Sequence, residues 1–145
     1  MEEGFVKIRL TSEDGMVETL WAVPAGEGRF ELRNAPFFAY GISDNDIVEA
    51  LEYAPSMYEF VRVAEPSGNR ALRMILAEGG TAETAVGKAI LAGLNAVGCN
   101  YEGMNDSLIA VVVPPDVELR RVVDYLVDTG LTWEYANPTY EELFG

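Results

Sequence analysis

Residues 70–98 read RALRMILAEGGTAETAVGKAILAGLNAVG, and the change of period inside them decides the fold. From Arg70 to Ala77, Leu72, Met74 and Leu76 recur at every second residue, the spacing of one face of a β-strand. Gly79 and Gly80 release the chain. Val86, Ile90, Leu94 and Val97 then recur at helical spacing, with Ala89 beside them and Gly98 as a stop. Thr81 stands where an N-cap is wanted, with Glu83 and Thr84 in the first turn. Gly87 and Gly93 each lower helix propensity by about 1 kcal/mol relative to Ala, and are expected where the helix lies close to a sheet.

Downstream, Cys99–Gly103 and Leu108–Val113 read as strands joined through Met104-Asn105-Asp106-Ser107. The run from Ile109 to Val113 suits a central strand. Pro114 and Pro115 end it, because neither has an amide to give a ladder. Asp116 is the expected cap of a second helix, with Leu119, Val122, Val123 and Leu126 as its apolar stripe and Gly130 as its exit. Leu131–Tyr135 reads as a last strand. The order β-α-β-β-α-β is the split motif of ferredoxin-like folds, with two helices on one face of an antiparallel sheet. Asn137 as cap and Pro138 as first helical residue predict a short terminal helix. Its Tyr140, Leu143 and Phe144 are expected to dock on the body or to anchor a partner.

Upstream, Val6, Ile8 and Leu10 alternate with Lys7 and Arg9, and Ser12-Glu13-Asp14-Gly15 reads as a turn. Met16–Val23, Gly28–Arg33, Ile47–Leu51 and Met57–Ala64 follow as strands, the last two separated at Pro55 and Ser56. These predict a small antiparallel sheet or partly open barrel over residues 1–66, and a ferredoxin-like unit with its short terminal helix over 67–145. The class is α+β. The boundary run Glu65-Pro66-Ser67-Gly68-Asn69 would also serve as a hairpin turn inside one continuous sheet.

The chain has 145 residues, 24 Asp plus Glu against 10 Lys plus Arg, no His and one Cys. The acid excess is spread over both halves, so both should repel phosphates and anionic lipid, and attract basic surfaces. Nucleic acid is disfavoured as a partner, and Arg62, Arg70 and Arg73 make at most a small basic patch. Without His there is no Ser-His-Asp or Cys-His arrangement and no histidine metal ligation. A phosphate loop of the GxxxxGK[ST] form is absent. Gly79-Gly80-Thr81 opens a helix but has no neighbouring Lys, and reads as an entrance turn. Cys99 follows a helix C-terminus, a poor place for a thiolate, and is expected in a core. A lone thiol suits a reducing cytoplasm. MEEGFVKIRL is unlike a signal peptide, and no run approaches the ~20 apolar residues of a membrane span.

Candidate contact residues are aromatic. Phe37, Phe38 and Tyr40 crowd a loop, residues 34–46, and Trp133 and Tyr135 alternate on the last strand. Such anchors, framed by acids such as Asp44 and Asp46, can dominate a protein interface, although core packing uses the same residues. Asp44, Asp46 and Glu49 are the closest acidic cluster, but lack the spacing of a calcium loop. They read as a solvated turn.

The segment NAPFFAYGISDNDIVEA, residues 34–50, carries a resemblance. Phe37–Gly41, the run Asp46–Glu49, the later Gly98–Gly103 with Asn105-Asp106, and Val113-Pro114-Pro115 together resemble a bacterial domain-of-unknown-function family found widely in actinobacteria, DUF4265. The resemblance spans nearly the whole chain and implies one fold unit. It implies no catalytic residue, metal or cofactor. The sequence therefore points to a cytoplasmic, non-enzymatic module that binds a basic protein, as an immunity protein or antitoxin masks its partner. Two alternatives stand beside it: a small-molecule sensor with a pocket between the halves, and a metal-dependent enzyme using Asp44, Asp46 and Glu49.

Overall fold

The computed structural model describes residues 4–12, 14–76, 82–105 and 107–145. Period-two patterning builds the first half. Val6, Ile8 and Leu10 are buried along β1 (Val6–Thr11). That strand pairs with β2 (Val17–Gly26), which pairs with β3 (Arg29–Leu32), then β4 (Ile47–Ala54), then β5 (Met57–Glu65), each antiparallel to the one before. β1 also pairs in parallel with β5, Lys7–Arg9 against Met57–Glu59, and this closes the barrel. The partly open edge expected from the sequence is thereby corrected: a parallel return between the first and last strands cannot be read from period alone. Ile8, Leu20, Ala22, Leu32 and Val48 fill the barrel's core.

The second half forms a separate four-stranded sheet. Its elements are β6 (Arg70–Ile75), α1 (Ala85–Ala96), β7 (Asn100–Gly103), β8 (Leu108–Val113), α2 (Leu119–Thr129) and β9 (Trp133–Asn137), followed by α3 (Tyr140–Phe144). The strand order is β7-β8-β6-β9, and every pairing is antiparallel. β8 is central and almost wholly buried, which its unbroken apolar run anticipates. Leu72, Met74, Ile109, Val111 and Val113 face Leu91 and Leu94 of α1 and Val122 and Leu126 of α2 in one core. Truncating a fully buried Leu there costs about 2–5 kcal/mol. The opposite sheet face carries Ala110 and Val112, which pack on Ala35 and Phe37 of the loop leaving the barrel.

Helix starts differ from the sequence expectation, each for a local reason. Thr81 lies outside the described residues, as does the Gly79-Gly80 turn before it. The observed cap of α1 is Thr84, whose hydroxyl accepts from Gly87 N at 3.0 Å. The motif Thr-x-x-Thr repeats the same signal three residues later, and sequence cannot rank the two. Val86 of the expected stripe is exposed, and Leu91 is buried in its stead. Asp116 does not cap α2: Glu118 holds the cap position without a side-chain bond, and Asp116 sits in a turn closed by Val117 N donating to Pro114 O. α3 is capped by Thr139, not Asn137. Thr139 and Glu142 exchange both bonds of a capping box, while Asn137 belongs to β9 and donates to Ser43 Oγ at 2.7 Å.

Gly93 marks a close approach to α2, not to the sheet. A Cβ built there would lie 2.1 Å from Tyr125 Oη and 2.5 Å from its Cζ. Tyr125 Oη donates to Ile90 O at 2.7 Å, which holds the ring over that glycine. Gly93→Ala is therefore expected to lower stability by about 1–3 kcal/mol through overpacking, despite Ala's better helix propensity. A urea midpoint at or above wild type would refute this.

Cys99 is 2 % exposed in the helix-covered core. Burial pushes its thiol up to about 11, opposed in part by Arg70. An unfolded thiol ionises near about 8.5, so the unfolded chain releases its proton first as pH rises. Stability is thus expected to fall with increasing pH from about 8.5 through the folded value. A thiol reagent at mildly alkaline pH should stay silent until the chain unfolds; prompt native reaction would count against the burial.

Candidate functional site

A loop without regular structure, residues 33–46, is wedged between the barrel and the second sheet, and its polar backbone needs partners there. Glu18 of β2 provides acceptors. One carboxylate oxygen takes Phe37 N at 2.8 Å, and the other takes Phe38 N at 3.0 Å and Ala39 N at 2.8 Å. Arg73 of β6 provides donors. It is 3 % exposed, donates to Ala39 O at 2.8 Å and to Pro36 O at 3.5 Å, and pairs with Glu134 of β9 at 3.1 Å. Its guanidinium lies 4.7 Å from the centre of the Tyr40 ring, whose hydroxyl donates to Glu134 at 2.8 Å. The bond to Glu134 is the main reason that the Tyr40 phenol is raised above its usual range, with burial next. Gly41 N donates to Ala136 O, so the loop also covers part of the free edge of β9.

This anchoring creates two concavities. One, of about 440 Å³, lies between the barrel mouth and the loop, walled by Leu10, Met16, Phe37, Phe38, Ile42 and Phe60, with Glu18 and Glu134 among its polar members. The other is an open groove of about 680 Å³ along β9, lined by Tyr40, Trp133, Glu134, Tyr135, Tyr140 and Glu141, with Thr139. Tyr135 centres this groove: its ring lies 5.0 Å from Trp133, 6.1 Å from Tyr140 and 5.8 Å from Phe144. α3 thus docks through its aromatics, yet Tyr140 and Phe144 each remain 62 % exposed.

The sequence candidates therefore separate. Tyr40, Trp133 and Tyr135, far apart in sequence, meet in the groove. Phe37 and Phe38 are half-buried and wall the cavity instead. Asp46 is 1 % exposed and accepts from Ser43 N at 2.9 Å and Ser67 N at 2.8 Å, so it is no solvated turn residue. Asp44 accepts from Asn69 Nδ2 at 3.1 Å, and burial raises its carboxyl above the usual range. Glu49 lies on the barrel wall, held by Arg62 at 2.6 Å and Arg29 at 3.4 Å. Among the described residues no group of three or more His, Cys, Asp or Glu is placed to hold a metal ion. The three arginines of the expected basic patch are also dispersed: Arg62 pairs with Glu49, Arg70 donates to the carbonyls of Pro114 and Val117, and Arg73 is buried.

Glu18, Arg73, Glu134 and Glu102 are the residues that sequence reasoning missed as site builders. Glu102 accepts from Ala35 N at 2.8 Å, and burial raises its carboxyl. Arg73 left one signal, a charge in the middle of the otherwise apolar stretch 71–76. The carboxylates left none, since their partners lie 19 or more positions away, as from Glu18 to Phe37.

A closed barrel joined through a bonded loop to a helix-covered antiparallel sheet defines a two-sheet α+β protein. The chain belongs to the family described as Domain of unknown function (DUF4265), whose model matches residues 18–135. It is similar in fold to a solved structure titled as a novel crystal structure of a hypothetical protein from Neisseria gonorrhoeae. The TM-score is 0.71 at 17 % identity, covering 97 % of this chain and 98 % of that one. No curated protein matches the chain.

Replacing Arg73 by Leu strands two loop carbonyls and removes the ion pair with Glu134, at an expected cost of about 2–4 kcal/mol. Hydrogen exchange at the amides of Phe37, Phe38 and Ala39 should accelerate in this variant and in Glu18→Gln. Wild-type protection in both would show that the loop is held by something else.

Proposed function

We propose that this protein is a binding module for a basic protein, engaging it through the groove along β9 in the way that an immunity protein or antitoxin masks its target. The observation that carries the reading is the composition of that groove, aromatic walls with Glu134 and Glu141 at the rim. Aromatic faces and carboxylates are the two groups that attract a guanidinium or ammonium. The groove gathers three of the aromatic candidates and adds Tyr140.

Charge supports the same reading. The net charge is −14, and six arginines, Arg9, Arg29, Arg33, Arg62, Arg73 and Arg120, each pair with a carboxylate of this chain. A basic partner is thus steered in with little local opposition, which raises the association rate more than the affinity. No described helix is long and apolar enough to cross a membrane. The buried Cys99 supports a cytoplasmic setting, and the strand order with two covering helices supports assigning the second unit to the ferredoxin-like class.

In a Trp21→Phe background, Trp133 becomes the single indole reporter. Its fluorescence should respond to an Arg- and Lys-rich peptide at low salt, and binding should weaken about tenfold at physiological ionic strength as charges are screened. Tyr140→Ala and Glu141→Lys should each weaken binding several-fold. Equal response to a neutral peptide of the same length, or none to the basic one, would overturn the reading.

A further inference from the structure

We propose that the cavity between the barrel mouth and the loop is a separate small-molecule site, and that its ligand is an organic cation with an apolar body, an arylalkylamine in class. The volume of about 440 Å³ lies in the range of small-molecule sites, about 300–1,000 Å³. The apolar part of the wall is assembled from four places in the chain: Leu10 of β1, Met16 just before β2, Phe60 of β5, and Phe37, Phe38 and Ile42 of the loop. Leu10 and Ile42 are themselves nearly buried, so the wall is continuous with the barrel core. Such a surface selects a flat or branched hydrocarbon body.

The polar part of the wall decides the head group. Its charged members among the described residues are Asp14, Glu18 and Glu134, and no described Lys or Arg lines the cavity. Arg73, which pairs with the lining residue Glu134, is turned to that carboxylate and the loop carbonyls. The side-chain hydroxyls present are already committed, Thr11 Oγ1 to Glu59, Ser12 Oγ to Asp14 and Tyr40 Oη to Glu134. Acceptors are in surplus. Two carboxylate oxygens offer about four lone-pair sites, and the three amide bonds to Glu18 leave one over. A ligand bearing donors and positive charge matches this wall, whereas a carboxylate or phosphate would bring further acceptors against it.

The site is distinct from the groove of the proposed partner interface, although Tyr40 and Glu134 border both. Loss of one does not entail loss of the other, and the experiment keeps them apart. Tryptamine and indole-3-acetate, equal in ring and nearly equal in size but opposite in charge, are titrated into the full chain carrying 13C-methyl labels. Tryptamine is expected to shift the methyl signals of Leu10, Met16 and Ile42, and to bind at least about tenfold more tightly than indole-3-acetate, about 1.4 kcal/mol by the affinity relation. Met16→Ala, at a residue 45 % exposed, removes a wall contact without opening the core and should weaken tryptamine several-fold. Tyr140→Ala, in the groove alone, should leave it unchanged. Absence of binding by tryptamine, equal binding by the anion, or shifts confined to the groove would each overturn the proposal.

Discussion

An irregular loop lies between two sheets, and although Gly41 N reaches Ala136 O of β9, the amides of Phe37, Phe38 and Ala39 and the carbonyls of Pro36 and Ala39 find their partners in side chains. Two side chains meet that demand from opposite sides. Glu18 reaches from the barrel to accept three consecutive amides, and Arg73 reaches from the second sheet to donate to two carbonyls. Bonds to charged groups contribute about 1.5–3 kcal/mol each, against about 1 for neutral ones, and they act beside the apolar packing of Ala35 and Phe37 on the second sheet and of Ile42 in the barrel core. The loop is thus held by charged hydrogen bonds and packing together.

The charged anchors explain the shape of the candidate sites. With the amides of Phe37, Phe38 and Ala39 drawn to Glu18, the neighbouring rings wall the space beside the barrel mouth. With Tyr40 stacked on Arg73 and bonded to Glu134, its ring turns to the edge of β9 and completes the groove begun by Trp133 and Tyr135. One pair of anchors therefore positions both concavities. Glu134 connects them, since its two oxygens receive Arg73 and Tyr40 separately.

What could be read from sequence follows the range of the interaction. The nine strands and three helices among the described residues come from local patterning: period two in β1, an unbroken apolar run in β8, and the 3.6-residue stripe of Val122, Val123 and Leu126 in α2. Helix starts were misplaced by two or three residues because Thr, Asp and Asn advertise a cap wherever they stand. Which one is used depends on whether the side chain is claimed elsewhere, as Asn137 is by Ser43. Gly93 looked like a contact with a sheet because a missing side chain does not say what fills the space, and the filler is Tyr125. The parallel closure of the barrel and the partners of Glu18 and Arg73 are long-range, and no spacing rule reaches them.

The acids teach a related lesson about charge. An excess of carboxylates first suggests a surface property, yet Glu18, Asp44, Asp46 and Glu102 are drawn into the loop's hydrogen bonds, and Asp46 is fully buried. Lysine and arginine could not replace them, because the unmet groups along this loop are mostly amides, and only an acceptor satisfies an amide. Part of the acidity is therefore a structural requirement, and net charge alone overstates the field offered to a partner. The informative acids are those left at a solvent-facing rim beside exposed aromatic rings. In the groove Glu141 stands in that position, next to a Tyr140 ring that is 62 % exposed. Selection for solubility alone would scatter acids over polar surface; it gives no reason to set one beside an aromatic ring left in water, which is the combination that a cationic partner would repay.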